Sequence, residues 1–183
     1  MKKILSLIVF ITIGMAAHAQ KWSVSTNMID YAALGTANAE LSVGVDRHVS
    51  LDLEGRFNPW TYNEGEAEQF QNRNIGGSFG VRYWPWHVFA GWWYRGSAQY
   101  ERYNRGGLIF DTAEEGEAYG AGFSFGYSLL LTGWLNVDFG IGLWGGQKNY
   151  VVYACPQCGR IVEDGQKWFV APDDLRIAFS IIF

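Results

Sequence analysis

Residues Trp134–Gly146 read WLNVDFGIGLWGG. In steps of two, Leu135, Val137, Phe139, Ile141 and Leu143 fall on one side, with Asn136, Asp138, Gly140 and Gly142 on the other. Side chains alternate across a strand, so this is a strand with one apolar face and one small or polar face. A water-soluble sandwich would bury such apolar faces in a shared core. A closed membrane barrel turns them to lipid.

The same alternation recurs along the chain. Strands are expected over 21–31, Asn38–Val45, Val49–Asn58, Ile75–Tyr83, Val88–Glu101, Glu117–Leu130, Trp134–Gly146 and Trp168–Phe183. After the first link, tight turns at Asp46-Arg47-His48, Trp84-Pro85-Trp86-His87 and Thr132-Gly133 alternate with long loops at 60–74, 102–116 and 153–167. Outer-membrane barrels have this rhythm, with short periplasmic turns and longer exterior loops. The outward faces are aromatic on nearly every strand, and Trp84 and Trp86 are expected to join them at a turn. The inward faces carry Glu40, Asp52, Glu54, Asp138 and Asp174 against Arg56, Arg82, Arg95 and Arg176. Unpaired charges of both signs would be very costly in an aqueous protein's core. In a narrow barrel they can meet across the lumen.

Residues 1–19 fit an export signal: Lys2 and Lys3, an apolar run Ile4–Met15, then Ala17-His18-Ala19 before the cleavage point. The remaining 20–183 is expected to be one eight-stranded antiparallel transmembrane β-barrel in the outer membrane, bounded by lipid. It keeps 12 of the 14 basic residues against 18 acidic ones, which argues against a nucleic-acid partner. The whole chain has nine Trp, ten Tyr, twelve Phe and 23 Gly, which gives it the aromatics for two interfacial girdles and the small residues for a tight interior.

The inward charges could form a substrate path, but an eight-stranded barrel is about filled by its own side chains, so a self-plugging network is the expectation. A narrow pore ranks last. A lipid-modifying enzyme is the alternative, yet a histidine base must reach its nucleophile, and His48 and His87 both fall in turns at the periplasmic end. The loop acids Glu64, Glu66, Glu68, Glu114 and Glu115 read as solvated surface. No cofactor or metal is expected. Cys155-Pro156-Gln157-Cys158-Gly159 looks like one knuckle of a zinc ribbon, but no second pair supplies the remaining ligands. In an exported loop, Cys155 and Cys158 are expected to form a disulfide.

The run WSVSTNMIDYAALGTANAELSVGVDRHVSLDLEGRFNPW and the strand layout resemble a family of small outer-membrane proteins of unknown function from Bacteroidota-type bacteria. Asn27, Asn38, Glu40, Asn58, Pro59 and Trp60 carry the resemblance. Members accompany fimbrillin-type components. The resemblance thus implies a non-enzymatic binding, scaffolding or anchoring role in surface-fibre assembly, with cell-envelope partners at the three long loops. It brings no catalytic residues, and the Cys155–Gly159 motif is not part of it.

Overall fold

A computed structural model describes residues 22–66, 69–107, 112–156 and 159–183. Residues 1–19, expected as an export signal, and Glu68 and Cys158 lie outside the described residues. The elements are β1 (Trp22–Asn27), α1 (Met28–Ala32), β2 (Ala37–Asp46), β3 (Val49–Asn58), β4 (Thr61–Tyr62), β5 (Phe70–Tyr83), β6 (Gly91–Gly106), β7 (Ala113–Thr132), β8 (Leu135–Tyr153) and β9 (Ile161–Ile182). Each long strand pairs antiparallel with its neighbours, β9 returns to β1, and β3 pairs β5 past the two-residue β4. Eight strands therefore close into a ring.

The ring is staggered. From Ile181 the paired residues run through Val24, Leu41, Leu53, Phe79, Ala98, Ala121 and Gly145, and return to β9 at Val170. A stagger of that size tilts the strands by about 35–45° and leaves an interior that side chains fill. Where two glycines face each other, the space goes to one large ring. A Cβ on Gly140 would sit 2.7 Å from the Trp93 indole, and one on Gly126 would also strike it. Trp93 is fully buried there.

Trp93 joins Trp84, Phe89 and Ile182 in an apolar stopper at the end where β1 begins and β9 finishes. Trp84 thus corrects the expectation of an outward ring: it is 1% exposed, whereas Trp86 is 80% exposed. The Trp84 N–H donates to the His48 carbonyl at 2.8 Å, continuing the β3–β5 ladder one step past Tyr83. The two-residue period then turns it inward, where its Nε1 donates to Ser50 Oγ at 3.0 Å. Val88 packs against the stopper, and β6 begins at Gly91 rather than at 88.

The strands also outrun their apolar pattern. Strand lengths climb from 14 residues in β5 to 16, 20, 19 and 22 in β6 to β9, then drop to six in β1. Much of the expected loops 102–116 and 153–167 is therefore hairpin, and β5 starts at Phe70 within the expected 60–74 loop. The reason is chemical: past Ile75, Tyr100, Tyr119 and Leu143 the next outward residues are Arg73, Arg102, Glu117 and Gly145, so the apolar outer face ends there. The backbone ladder continues while the hydrophobic period vanishes.

β1 stops early because Asn27 caps α1, its Oδ1 accepting from Ile29 N at 3.3 Å. The same carboxamide finishes the seam with β9, donating to the Leu175 carbonyl at 3.0 Å and accepting from Ile177 N at 3.0 Å. Asn27→Leu should leave both β9 groups buried without partners and cost about 2 kcal/mol or more. Urea unfolding, followed by tryptophan fluorescence, measures this.

Candidate functional site: the charged lumen and its open mouth

Glu40 is the hub of the lumen. Arg82 Nη2 reaches both its oxygens at 3.0 Å, and Arg176 adds bonds at 3.1 and 2.6 Å. Ser25 and Ser42 hydroxyls donate to it at 3.3 Å. Strands β2, β5 and β9 are thereby clamped through one buried carboxylate. Beside it Arg95 meets Asp52 at 2.5 Å and donates to Ser78 at 2.7 Å, while Arg176 also holds Asp174 at 2.9 Å. Arg56, nearer the mouth, pairs with Glu54 at 2.8 Å and Asp173 at 3.1 Å. Arg82 also lies over the Trp93 ring, 4.6 Å from its centroid, tying the ion network to the stopper.

Asp138 stands apart. It is buried, accepts from the Ser128 and Ser180 hydroxyls, and has no ion pair among the described residues. Asp173 is a network member that alternation alone does not place inward. Gly140 pairs with Arg176 and Gly142 with Asp173, so Asp174 and Leu175 together oppose the single residue Ile141. This bulge, with Asp174 at φ 51°, lets two consecutive acids face the lumen. Its trace in the sequence is a change of parity. Trp168, Val170 and Pro172 are outward on even numbers; Leu175, Ile177 and Phe179 are outward on odd ones.

Above the network the barrel opens into a cavity of about 810 Å³, lined among others by Asn58, Asn74, Tyr103, Tyr150 and Gly165. Glu114, expected as solvated surface, instead receives Lys148 and the Tyr103 hydroxyl. Glu115 accepts from Asn104 at 3.1 Å and Tyr153 at 2.9 Å. Burial works to raise the Glu114 carboxyl, yet the hydrogen bonds from Lys148 and Tyr103 hold it below its ordinary value. Tyr150 is raised by its hydrogen bond to Glu163, and the Lys167 ammonium lies 4.3 Å from its ring centroid. The mouth thus presents fixed aromatic rings and amides, with most of its charges already paired. His48 and His87 lie in turns at the opposite end, His48 Nδ1 against the Trp84 carbonyl at 2.9 Å. Among the described residues no group of three or more His, Cys, Asp or Glu side chains could hold a metal ion.

Residues 5–183 match the family described as "Protein of unknown function (DUF3575)". The chain belongs to that family. No curated protein and no solved structure matches it.

In this DUF3575 chain, Asn27, Asn38 and Asn58 build the frame of the mouth around α1. Asn38 Nδ2 donates to the Asn27 carbonyl at 2.9 Å, and Asn27 N donates back to Asn38 Oδ1 at 2.6 Å. Asn58 holds the Leu34 carbonyl and Thr36 Oγ1, each at 3.0 Å, and accepts from Trp60 N. Within that frame Asp30 faces Arg56 at 3.7 Å. Burial raises its pKa from 3.8 to about 6, against the pull of Arg56.

Two outcomes follow from these contacts. Arg176→Met should cost about 3–5 kcal/mol in urea unfolding, because Asp174 loses its close partner and Glu40 loses half its clamp. Arg82→Met should cost less, since Arg176 still spans Glu40. Second, Asp30 binds its proton more tightly when folded. Stability should therefore fall as pH rises from about 4 to about 6, and Asp30→Asn should flatten that slope in a pH series of unfolding midpoints.

Proposed function

We propose that this protein is an exported, non-enzymatic barrel of the outer membrane that binds partners at its open, exterior mouth. The observation that carries the reading is the inversion of its two surfaces. Leu53, Phe79, Val81, Phe123, Phe125, Ile141 and Leu143 point out and are exposed, while arginines and carboxylates fill the inside. On β5 the apolar outer face runs from Ile75 to Tyr83 and gives way to Arg73; on β6 it runs from Trp92 to Tyr100 and gives way to Arg102. Nine residues at about 3.3 Å each, tilted as above, cover roughly 23 Å of height. The apolar band of outer-membrane barrels is about 25 Å tall. Tyr100, Tyr119, Tyr83 and Trp92 lie at its margins, where aromatic girdles belong.

Binding rather than conduction is supported by the cup shape: a stopper and an ion network below, a cavity above. Lipid chemistry is disfavoured by the position of both histidines, far from the mouth. A surface-fibre component is the partner class that the family resemblance suggests, met at the hairpin tips. Cys155 sits at one of these tips, and a bridge to Cys158 would stiffen it.

The purified protein should need detergent, migrate as a heat-modifiable band, and give no steady conductance in planar bilayers. Lipid A from a deletion strain should keep its acyl pattern by mass analysis. Reduction should leave the band heat-modifiable while speeding proteolysis between Tyr153 and Ile161. Solubility without detergent, steady conductance or an altered lipid A would each refute part of the reading.

A further inference from the structure

The step in strand length leaves a long β-edge. β1 pairs β9 only from Ile182 back to Ala178, and the Asn27 carboxamide covers Leu175 and Ile177. From Asp174 up to Ile161, β9 pairs β8 on one side and, among the described residues, no strand on the other. Exposure agrees. Outward residues flanked by two strands, such as Phe79 and Phe123, are 52–59% exposed, whereas Trp168 is 76% and Val170 78%. Pro172 lies opposite Leu143 inside the β8 ladder, and a proline is tolerated in such a position with its nitrogen turned to the open side. By the two-residue period, the N–H and C=O groups of Val170, Trp168, Gln166 and Asp164 turn there too. Such an edge is a template for another strand.

We propose that this edge is a β-augmentation site that takes an extended segment of another exported polypeptide, running antiparallel to β9 and closing the open side of the mouth. Specificity comes from what the edge presents in order: Glu163 and Asp164 outermost, then Lys167, then Trp168, Phe169 and Val170. The matching strand carries a basic residue against Glu163 and Asp164, an acidic one against Lys167, and apolar residues nearest the barrel. Main-chain bonds supply affinity and alternate side chains supply selectivity. The choice of occupant rests on the membrane placement proposed above. Two copies in one membrane stand the same way up, so their β9 edges would run parallel. That would bring Lys167 beside Lys167 and Glu163 beside Glu163, a destabilising match.

The test uses the full mature barrel in detergent micelles and a nine-residue synthetic peptide of that pattern. Amide exchange at Asp164, Gln166, Trp168 and Val170 should slow at least tenfold with the peptide present. The effect should be lost with a charge-reversed peptide, and with one N-methylated on alternate residues. Gln166→Pro removes an N–H that β8 does not use, so it should abolish the slowing while keeping the heat-modifiable band. The N-methylated peptide decides the same question should that variant fail to fold. No slowing, or slowing indifferent to charge and N-methylation, would overturn the proposal. So would a concentration-dependent dimer lost in Gln166→Pro, which would make a second copy the occupant. A heat-modifiable, detergent-requiring barrel without slowing refutes the edge alone; slowing in a protein soluble without detergent refutes the membrane reading alone.

Discussion

Everything in this barrel has to satisfy the carboxylate of Glu40, which is buried at the centre of a lumen with hardly any room for water. Arg82 and Arg176 hold it from opposite sides, and each is itself tied further, to the Trp93 ring and to Asp174. A buried ion pair is weak evidence for stability, because desolvation offsets much of the attraction. Its value here is positional. Glu40 sits on β2, Arg82 on β5 and Arg176 on β9, so the contacts exist only when three strands distant in sequence adopt one register. A slip of one residue would turn the whole charged set toward the outer face.

That constraint explains where the glycines and large rings must go. With guanidiniums crossing the middle, the remaining volume near the start of β1 and the end of β9 is filled by Trp84, Phe89, Trp93 and Ile182, and Gly126 and Gly140 leave room for the largest of them. The result is a cup. Its floor is packed with large apolar side chains, its middle is ionic, and its upper wall rises mainly on β6 to β9.

The period of two, the alternation of tight and long connections, and the inward or outward face of most residues were legible in the chain. Glu40, Asp52, Arg82, Arg95 and Arg176 could each be assigned a face from local pattern. Which acid meets which arginine could not, because that depends on the stagger around the ring, a sum over all eight pairings that no single stretch encodes. Three departures from the local pattern share a different cause. Trp84, the upper ends of β6 to β8, and Asp173 all lie where the backbone keeps its ladder while the side-chain pattern is interrupted, by a turn proline, by the end of the apolar outer face, or by the bulge. The bulge alone left a readable trace, in the change of outward parity between Pro172 and Leu175.

Closure is the point where these features meet. The β8–β9 ladder is among the longest and the β1–β9 ladder among the shortest, five pairs from Ser23 to Asn27. A seam so short contributes few backbone bonds, so it needs help from side chains. Asn27 extends it by imitating a further peptide group, and Arg176 crosses over β1 to reach Glu40 on β2. The same shortness leaves the upper edge of β9 without a second partner strand among the described residues. An eight-stranded ring with equal walls would have no such edge at all, since closure removes edges. A six-residue first strand therefore leaves the barrel shut where the lumen is charged and open along one side of its mouth.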